Sequence, residues 1–229
     1  EVIKNGVDLS FFKEVIGQNP VAIELGLHGK FVASYFGTHG MAHCLETMLY
    51  SARELKERED IVILLVGDGA ERQRLLGMRD EMALHNVVML DQQPKEKMPY
   101  LWALSDVSLV LLKKSELFTT VIPSKIFESM AMEKPIILGV EGESAGIIRA
   151  AEAGFCIEPE NNHELAERVL ELYRNRDLAA KLGTNGRRHA AEHYDRTVLA
   201  RRYESLLASL IPSSGSAASP LVNRDQQPL

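Results

Sequence analysis

The chain has 229 residues, 45% of them apolar and 25% charged, with a formal net charge of −6, a composition that suits a globular protein with one sizeable core. The acidic balance argues against a general nucleic-acid binder, which needs excess positive charge against phosphate. Cys44 and Cys156 form neither a CxxC pair nor a zinc spacing, no apolar run reaches the ~18 residues of a membrane span, and no signal peptide is visible, so two buried free thiols in a reducing cytoplasm are expected.

The opening Glu1-Val2-Ile3-Lys4-Asn5-Gly6-Val7-Asp8 reads as a strand end running into an Asn-Gly turn, as if cut from something longer. Residues 1–29 are expected to be an interdomain linker and 30–210 the main domain. Phe31 to Phe36 predicts a strand, followed by Gly37-Thr38-His39-Gly40 and a helix from Met41 to about Glu57. Ile61 to Val66 predicts a second strand, then Gly67-Asp68-Gly69 and a helix from Ala70 to His85. Val87 to Leu90 is a short third strand with a helix over Lys95 to Leu104, and Val107 to Leu112 is the fourth. A helix over Ser124 to Met132 leads to a fifth strand, Pro135 to Val140. Helices over 145–152, 163–175, 177–193 and 196–210 follow, and the Ser-, Pro- and Gln-containing stretch 211–229 is expected to be disordered. Continuously apolar strands are buried on both faces. With helices between them they predict an α/β, doubly wound parallel sheet. Ligands meet such sheets at the C-terminal ends of the strands, which points to loops 37–40, 67–70, 91–94, 113–124 and 141–145.

In Gly37-Thr38-His39-Gly40, glycines let backbone approach a ligand and a helix start offers N–H groups to an anion. From the residues alone a GxxG turn is a weak signal, and a tight turn without a ligand, with His39 solvated, is the plainer reading. Gly67-Asp68-Gly69 falls short of GxGxxG because position 72 is Arg, so no nicotinamide site is expected and a tight turn is the plain reading. Thr119 to Pro135 carries more information. Pro123 suits a helix's first turn. Ser124 and Lys125 then stand at its N-terminus, where a lysine opposes the helix dipole unless an anion binds there. Glu128 lies one turn on, on the same face, and its carboxylate suits a ribose diol. The alternative is a solvated Lys–Glu helix end. No Asp-x-Asp pair is present, so no metal is expected at a phosphate.

Five segments, in order, resemble the C-terminal domain of a GT-B glycosyltransferase of the large retaining family GT4, over residues 1 to about 210. They are Asn5-Gly6-Val7-Asp8 with Phe12; Tyr35-Phe36-Gly37 with Gly40; Val66-Gly67-Asp68-Gly69; Ser105-Asp106-Val107; and Glu128-Ser129-Met130-Ala131 followed by Lys134-Pro135-Ile136-Ile137. Pro123-Ser124-Lys125-Ile126-Phe127-Glu128 is similar to bacterial amino-sugar transferases that build O-antigen and capsule. The resemblance implies the Rossmann-like, donor-binding half of a GT-B fold, with C-terminal helices. It implies a nucleoside diphosphate sugar as donor, a UDP-sugar above all, with no cofactor, no metal and a retained anomeric configuration. It also implies a lipid-linked acceptor held by a separate N-terminal domain, a place in surface polysaccharide and lipopolysaccharide biosynthesis, and a cytoplasmic location, peripheral at the inner face of the membrane. This half alone should be inactive, and no catalytic residue is assigned to it. Glu128 would hold the ribose, amides near Ser124 the diphosphate, Gly37 to Gly40 and the Gly67–Gly69 loop the phosphates and interdomain cleft, and backbone at Gln93 the base edge. Thr120 stands where the family has the first Glu of E-x7-E, which contacts the sugar, and Thr38 and His39 replace its usual Arg and Lys. Lys125 is therefore expected to balance the diphosphate. A sugar-nucleotide 2-epimerase and a non-catalytic nucleotide-binding module are the alternatives.

Overall fold

Six strands form one parallel sheet: β1 (Phe31–Phe36), β2 (Ile61–Val66), β3 (Val87–Leu90), β4 (Val107–Leu111), β5 (Ile136–Gly139) and β6 (Gly154–Cys156). They lie in the order β3-β2-β1-β4-β5-β6 in this computed structural model, which describes residues 2–13, 15 and 17–210. The stretch 211–229 expected to be disordered lies outside the described residues. The sheet is doubly wound, as its apolar strands predict. The sixth strand is a departure: β6 has three half-buried residues and begins with a glycine, too short a run to leave a periodic signal.

The helices are α1 (Pro20–Glu24), α2 (Glu46–Glu54), α3 (Arg72–Glu81), α4 (Met98–Leu104), α5 (Lys125–Ala131), α6 (Glu143–Ala151), α7 (Asn162–Arg174), α8 (Arg176–His193) and α9 (Arg196–Leu210). Each strand's alternating side chains serve two layers. Phe31, Ala33 and Tyr35 of β1 join Leu109 and Leu111 of β4 under Met48 of α2, Leu75 of α3 and Leu165 of α7. On the opposite face, Val32 and Phe36 meet Val21 of α1 and Trp102 of α4, while Val110 packs with Phe127 of α5 and Ile148 of α6. Within 1–29, then, α1 contributes Val21 to a core cluster. Val7 bridges to Asp195, its N–H bonding the Tyr194 carbonyl at 2.9 Å, which ties the start of the chain to the turn between α8 and α9.

The helix expected from Met41 is broken. Met41–His43 forms a single 3₁₀ turn, Cys44 takes a left-handed φ of 45°, and the α-helix begins only at Glu46. The Lys113 N–H bonds the Ala42 carbonyl at 2.8 Å, pinning that turn to the strand beside it. Both cysteines are free. Cys44 is buried, but Cys156 is half-buried rather than buried as expected.

Leu64 is wholly buried beneath Trp102 and Leu101. Leu64→Ala is expected to lower the unfolding free energy by about 3 kcal/mol, seen as a lower urea midpoint with an unchanged m-value.

Candidate functional site

The helix after β1 covers one face of the sheet and the helix after β4 the other, although the two strands are neighbours. A crevice must open above their C-terminal ends. The protein has there a cleft of about 500 Å³, walled by Gly37, Thr38, His43, Gly67, Asp68, Gln92, Gln93, Met98, Pro123, Ser124, Lys125 and Glu128, with Phe36, Val66, Leu112 and Val121 beneath them.

Two glycine loops form one wall. A Cβ at position 67 would stand 1.9 Å from the Gly37 carbonyl oxygen, and one at 69 would stand 2.5 Å from the His39 carbonyl oxygen. Only glycine allows this backbone approach. The Gly37 N–H bonds Val66 O at 3.0 Å and the His39 N–H bonds Asp68 O at 2.8 Å, so the loops are sewn together by main chain. His39 is consequently wholly buried behind the loops, with both ring nitrogens unpartnered. Burial, assisted by Arg72, holds its imidazole neutral, with its pKa lowered to about 4.

The opposite wall is the start of α5. Ile126 and Phe127 donate their N–H groups to Pro123 O and Ser124 O, at 3.1 and 3.0 Å. These amides are therefore committed, and those left to face a ligand belong to Ser124 and Lys125. Lys125 places its Nζ 3.7 Å from the Tyr35 ring centroid and 3.0 Å from where a Cβ on Gly37 would stand. Among the described residues this ammonium makes no hydrogen bond and no ion pair. Burial brings its pKa down to about 7, with Glu128 pulling the other way. Burial pushes the Glu128 carboxyl up, offset by Lys125 and by the Trp102 indole beside it. Among the described residues the cleft thus carries the Lys125 cation, able to meet an anion, the Glu128 carboxylate a helical turn away, able to accept from hydroxyls, and the Asp68 carboxylate on the glycine-loop wall.

Of the residues singled out in the sequence, Gly37, Thr38, Gly67, Gln93, Pro123, Ser124, Lys125 and Glu128 line this cleft, and His39, Gly40, Gly69 and Thr120 do not. His39 and Gly69 support the loops from behind. Thr120 ends a 3₁₀ turn and is exposed, and its neighbour Val121 reaches the cleft instead. Sequence reasoning missed His43, Asp68, Gln92 and Met98. His43 was hidden because Met41–His43 reads as the first turn of a long helix, whereas the break at Cys44 turns its ring inward. Asp68 and Gln92 adjoin residues that were singled out, and the loop positions alone were a usable signal. Among the described residues no group of three His, Cys, Asp or Glu side chains could hold a metal ion. No described helix is long and apolar enough to cross a membrane.

The model of the glycosyl transferases group 1 family matches residues 29–189. WcaI of Escherichia coli strain K12, named as a candidate colanic acid biosynthesis glycosyl transferase, is 25% identical over 177 residues, covering 76% of this chain and 42% of WcaI. WbjE of Pseudomonas aeruginosa, whose name assigns it in similarly qualified terms as a glycosyltransferase, is 27% identical over 190 residues, covering 81% of this chain and 46% of WbjE. The chain therefore spans less than half the length of these curated relatives. Among solved structures, Anabaena HepE in complex with UDP-glucose superposes with a TM-score of 0.81 at 21% identity, over 92% of this chain and 57% of HepE. The C-terminal domain of the group 1 glycosyl transferase LpcC from Francisella tularensis gives 0.69 at 19% identity, over 83% of this chain and all of that one. These two likenesses show a shared fold.

Lys125 makes stability depend on pH. An unfolded lysine keeps its proton to about pH 10.4, whereas here the amine releases it near 7. Between those values the unfolded chain binds more protons, so this residue's contribution to stability climbs as pH rises above 7 and is unfavourable below it. Lys125→Met is expected to flatten that climb across pH 6 to 9 and to stabilise the unliganded protein at pH 6 by on the order of 2 kcal/mol, a value reduced because the residue keeps part of its surface in water. Urea unfolding at each pH measures both.

Proposed function

The chain belongs to the glycosyl transferases group 1 family, and from that premise and the geometry of the cleft we propose that it is the donor-binding half of a retaining, metal-independent glycosyltransferase that takes a UDP-sugar. The observation that carries this reading is the pairing of Lys125 and Glu128 on one wall, one turn apart, facing the Gly37 loop. The ammonium and the Ser124 and Lys125 amides meet the diphosphate, and the Glu128 carboxylate accepts from the two ribose hydroxyls. Gln92 and Gln93 bound the cleft at the end of β3 and are placed to edge the base.

The same groups define this half's part in the reaction. As the glycosidic bond to the diphosphate breaks, negative charge grows on the leaving phosphate. A preorganised ammonium and amide dipoles stabilise that charge without a divalent ion. The acceptor site belongs to a further, N-terminal domain of a longer protein. Its product is a surface polysaccharide or lipopolysaccharide assembled on a lipid carrier at the inner face of the membrane. The relatives' coverage and the colanic acid role in the name of WcaI favour that setting.

A thermal-shift panel of UDP, GDP, ADP and dTDP tests the donor assignment, because a ligand selective for the native state raises stability by RT ln(1 + [L]/Kd). UDP is expected to give the largest shift, unchanged by EDTA. Glu128→Ala is expected to weaken UDP by about 10–100-fold, the range for a lost charge-assisted hydrogen bond, while leaving pyrophosphate binding unchanged. Equal losses for both ligands, or no shift with any nucleotide, would contradict the reading.

A further inference from the structure

Tyr35, the last residue but one of β1, lies directly beneath the cleft and is wholly buried, so no ligand in the cleft touches it. It nevertheless contacts both walls. Its ring face receives the Lys125 ammonium, with Nζ 3.7 Å from the centroid, and its hydroxyl donates to the Thr38 carbonyl at 2.8 Å. Gly37 closes the seat from above, since any Cβ there would stand 3.0 Å from Nζ.

We propose that Tyr35 is a positioning residue for the donor: its ring seats the Lys125 ammonium in the cleft, and its hydroxyl fixes the glycine loop that faces the same phosphates. This rests on reading Lys125 as the diphosphate cation. The choice of an aromatic seat has a physical reason. A carboxylate partner would form an ion pair that the diphosphate would have to break. A π-face attracts the cation from one side and leaves N–H donors on the other side free for phosphate oxygens. Among the described residues no other cation lies over the ring. The His39 and His43 rings lie 6.1 and 5.9 Å from it, and burial keeps both imidazoles inclined to the neutral form. Among the described residues, the other charges acting on this cluster are Glu128 on the same helix, and Asp68 and Arg72 beyond His39.

UDP titrations of the full 229-residue chain decide the matter, using Lys125→Ala, Tyr35→Phe, Tyr35→Leu and the double variant Tyr35→Leu/Lys125→Ala. Lys125→Ala is expected to weaken UDP by about 10–100-fold, as for a lost charged hydrogen bond. Tyr35→Phe keeps the seat and is expected to stay within about 3-fold of wild type, the loss of one neutral hydrogen bond. Tyr35→Leu is expected to lose about 10-fold when Lys125 is present and almost nothing in the Lys125→Ala background, the coupling that contacting residues show. It should also move the pH above which UDP binding falls to a lower value, because the ring favours the charged amine. Equal losses from Tyr35→Leu in both backgrounds, or no loss in either, would overturn the positioning role while leaving Lys125 as the cation. Wild-type affinity in Lys125→Ala would instead overturn the reading of Lys125 itself. Should the leucine variant fail to fold, progressively fluorinated phenylalanines at position 35 replace it: a stepwise fall in UDP affinity with each fluorine supports the seat, and a flat series overturns it.

Discussion

A side chain at position 67 would place its first carbon 1.9 Å from the Gly37 carbonyl oxygen, and the candidate site depends on that missing atom. Without the close approach, the main-chain bonds between the two loops could not form, and the loop after β1 would not lie flat against the loop after β2. His39 would not be shut behind them. Gly37 would not stand where it caps the Lys125 amine. The sheet supplies the other half of the constraint. Because β1 and β4 are neighbours whose helices leave to opposite faces, the floor of the cleft is made of strand ends, one wall of the two joined glycine loops and the other of the start of α5.

The electrostatics of the cleft follow from this geometry. Lys125 is held in a crevice that disfavours its charge, with no ion pair among the described residues to compensate. A structure selected only for stability would place an apolar side chain there. The amine is instead presented to open volume, beside amides that α5 has not used. Binding a dianionic group would bring the missing counter-charge, and it would do so in a site already arranged to receive it. The local departure from good helix chemistry, a lysine in the first turn, thus coincides with the place where function is assigned.

Much of the fold was legible because its signals are strong and local. β1 and β2 are six-residue runs, apolar but for Ser34, bounded by turns, and the loops at their ends announce themselves by glycine. What escaped has a physical cause in each case. β6 is three residues long and owes its place to pairing with β5, which local pattern cannot reveal. Met41–His43 carries helical spacing, but tertiary contact through Ala42 O and the left-handed Cys44 override it, so His43 was not seen to face the cleft. Thr120 was placed by its distance from Glu128 along the chain, and the 3₁₀ turn that ends there leaves it in solvent. Lys125 and Glu128, by contrast, were legible because a helix fixes their relative position through its own period.

The position of a bound nucleoside diphosphate is the most direct test of these roles. A crystal structure of the chain with UDP measures this directly. The prediction is a ribose with its hydroxyls on the Glu128 carboxylate, and a diphosphate oxygen within hydrogen-bond distance, about 3 Å, of the Lys125 Nζ, which remains over the Tyr35 ring. A nucleotide bound elsewhere, or a diphosphate in the cleft with Lys125 turned away from it, would contradict Lys125 as the diphosphate cation and Glu128 as the ribose ligand.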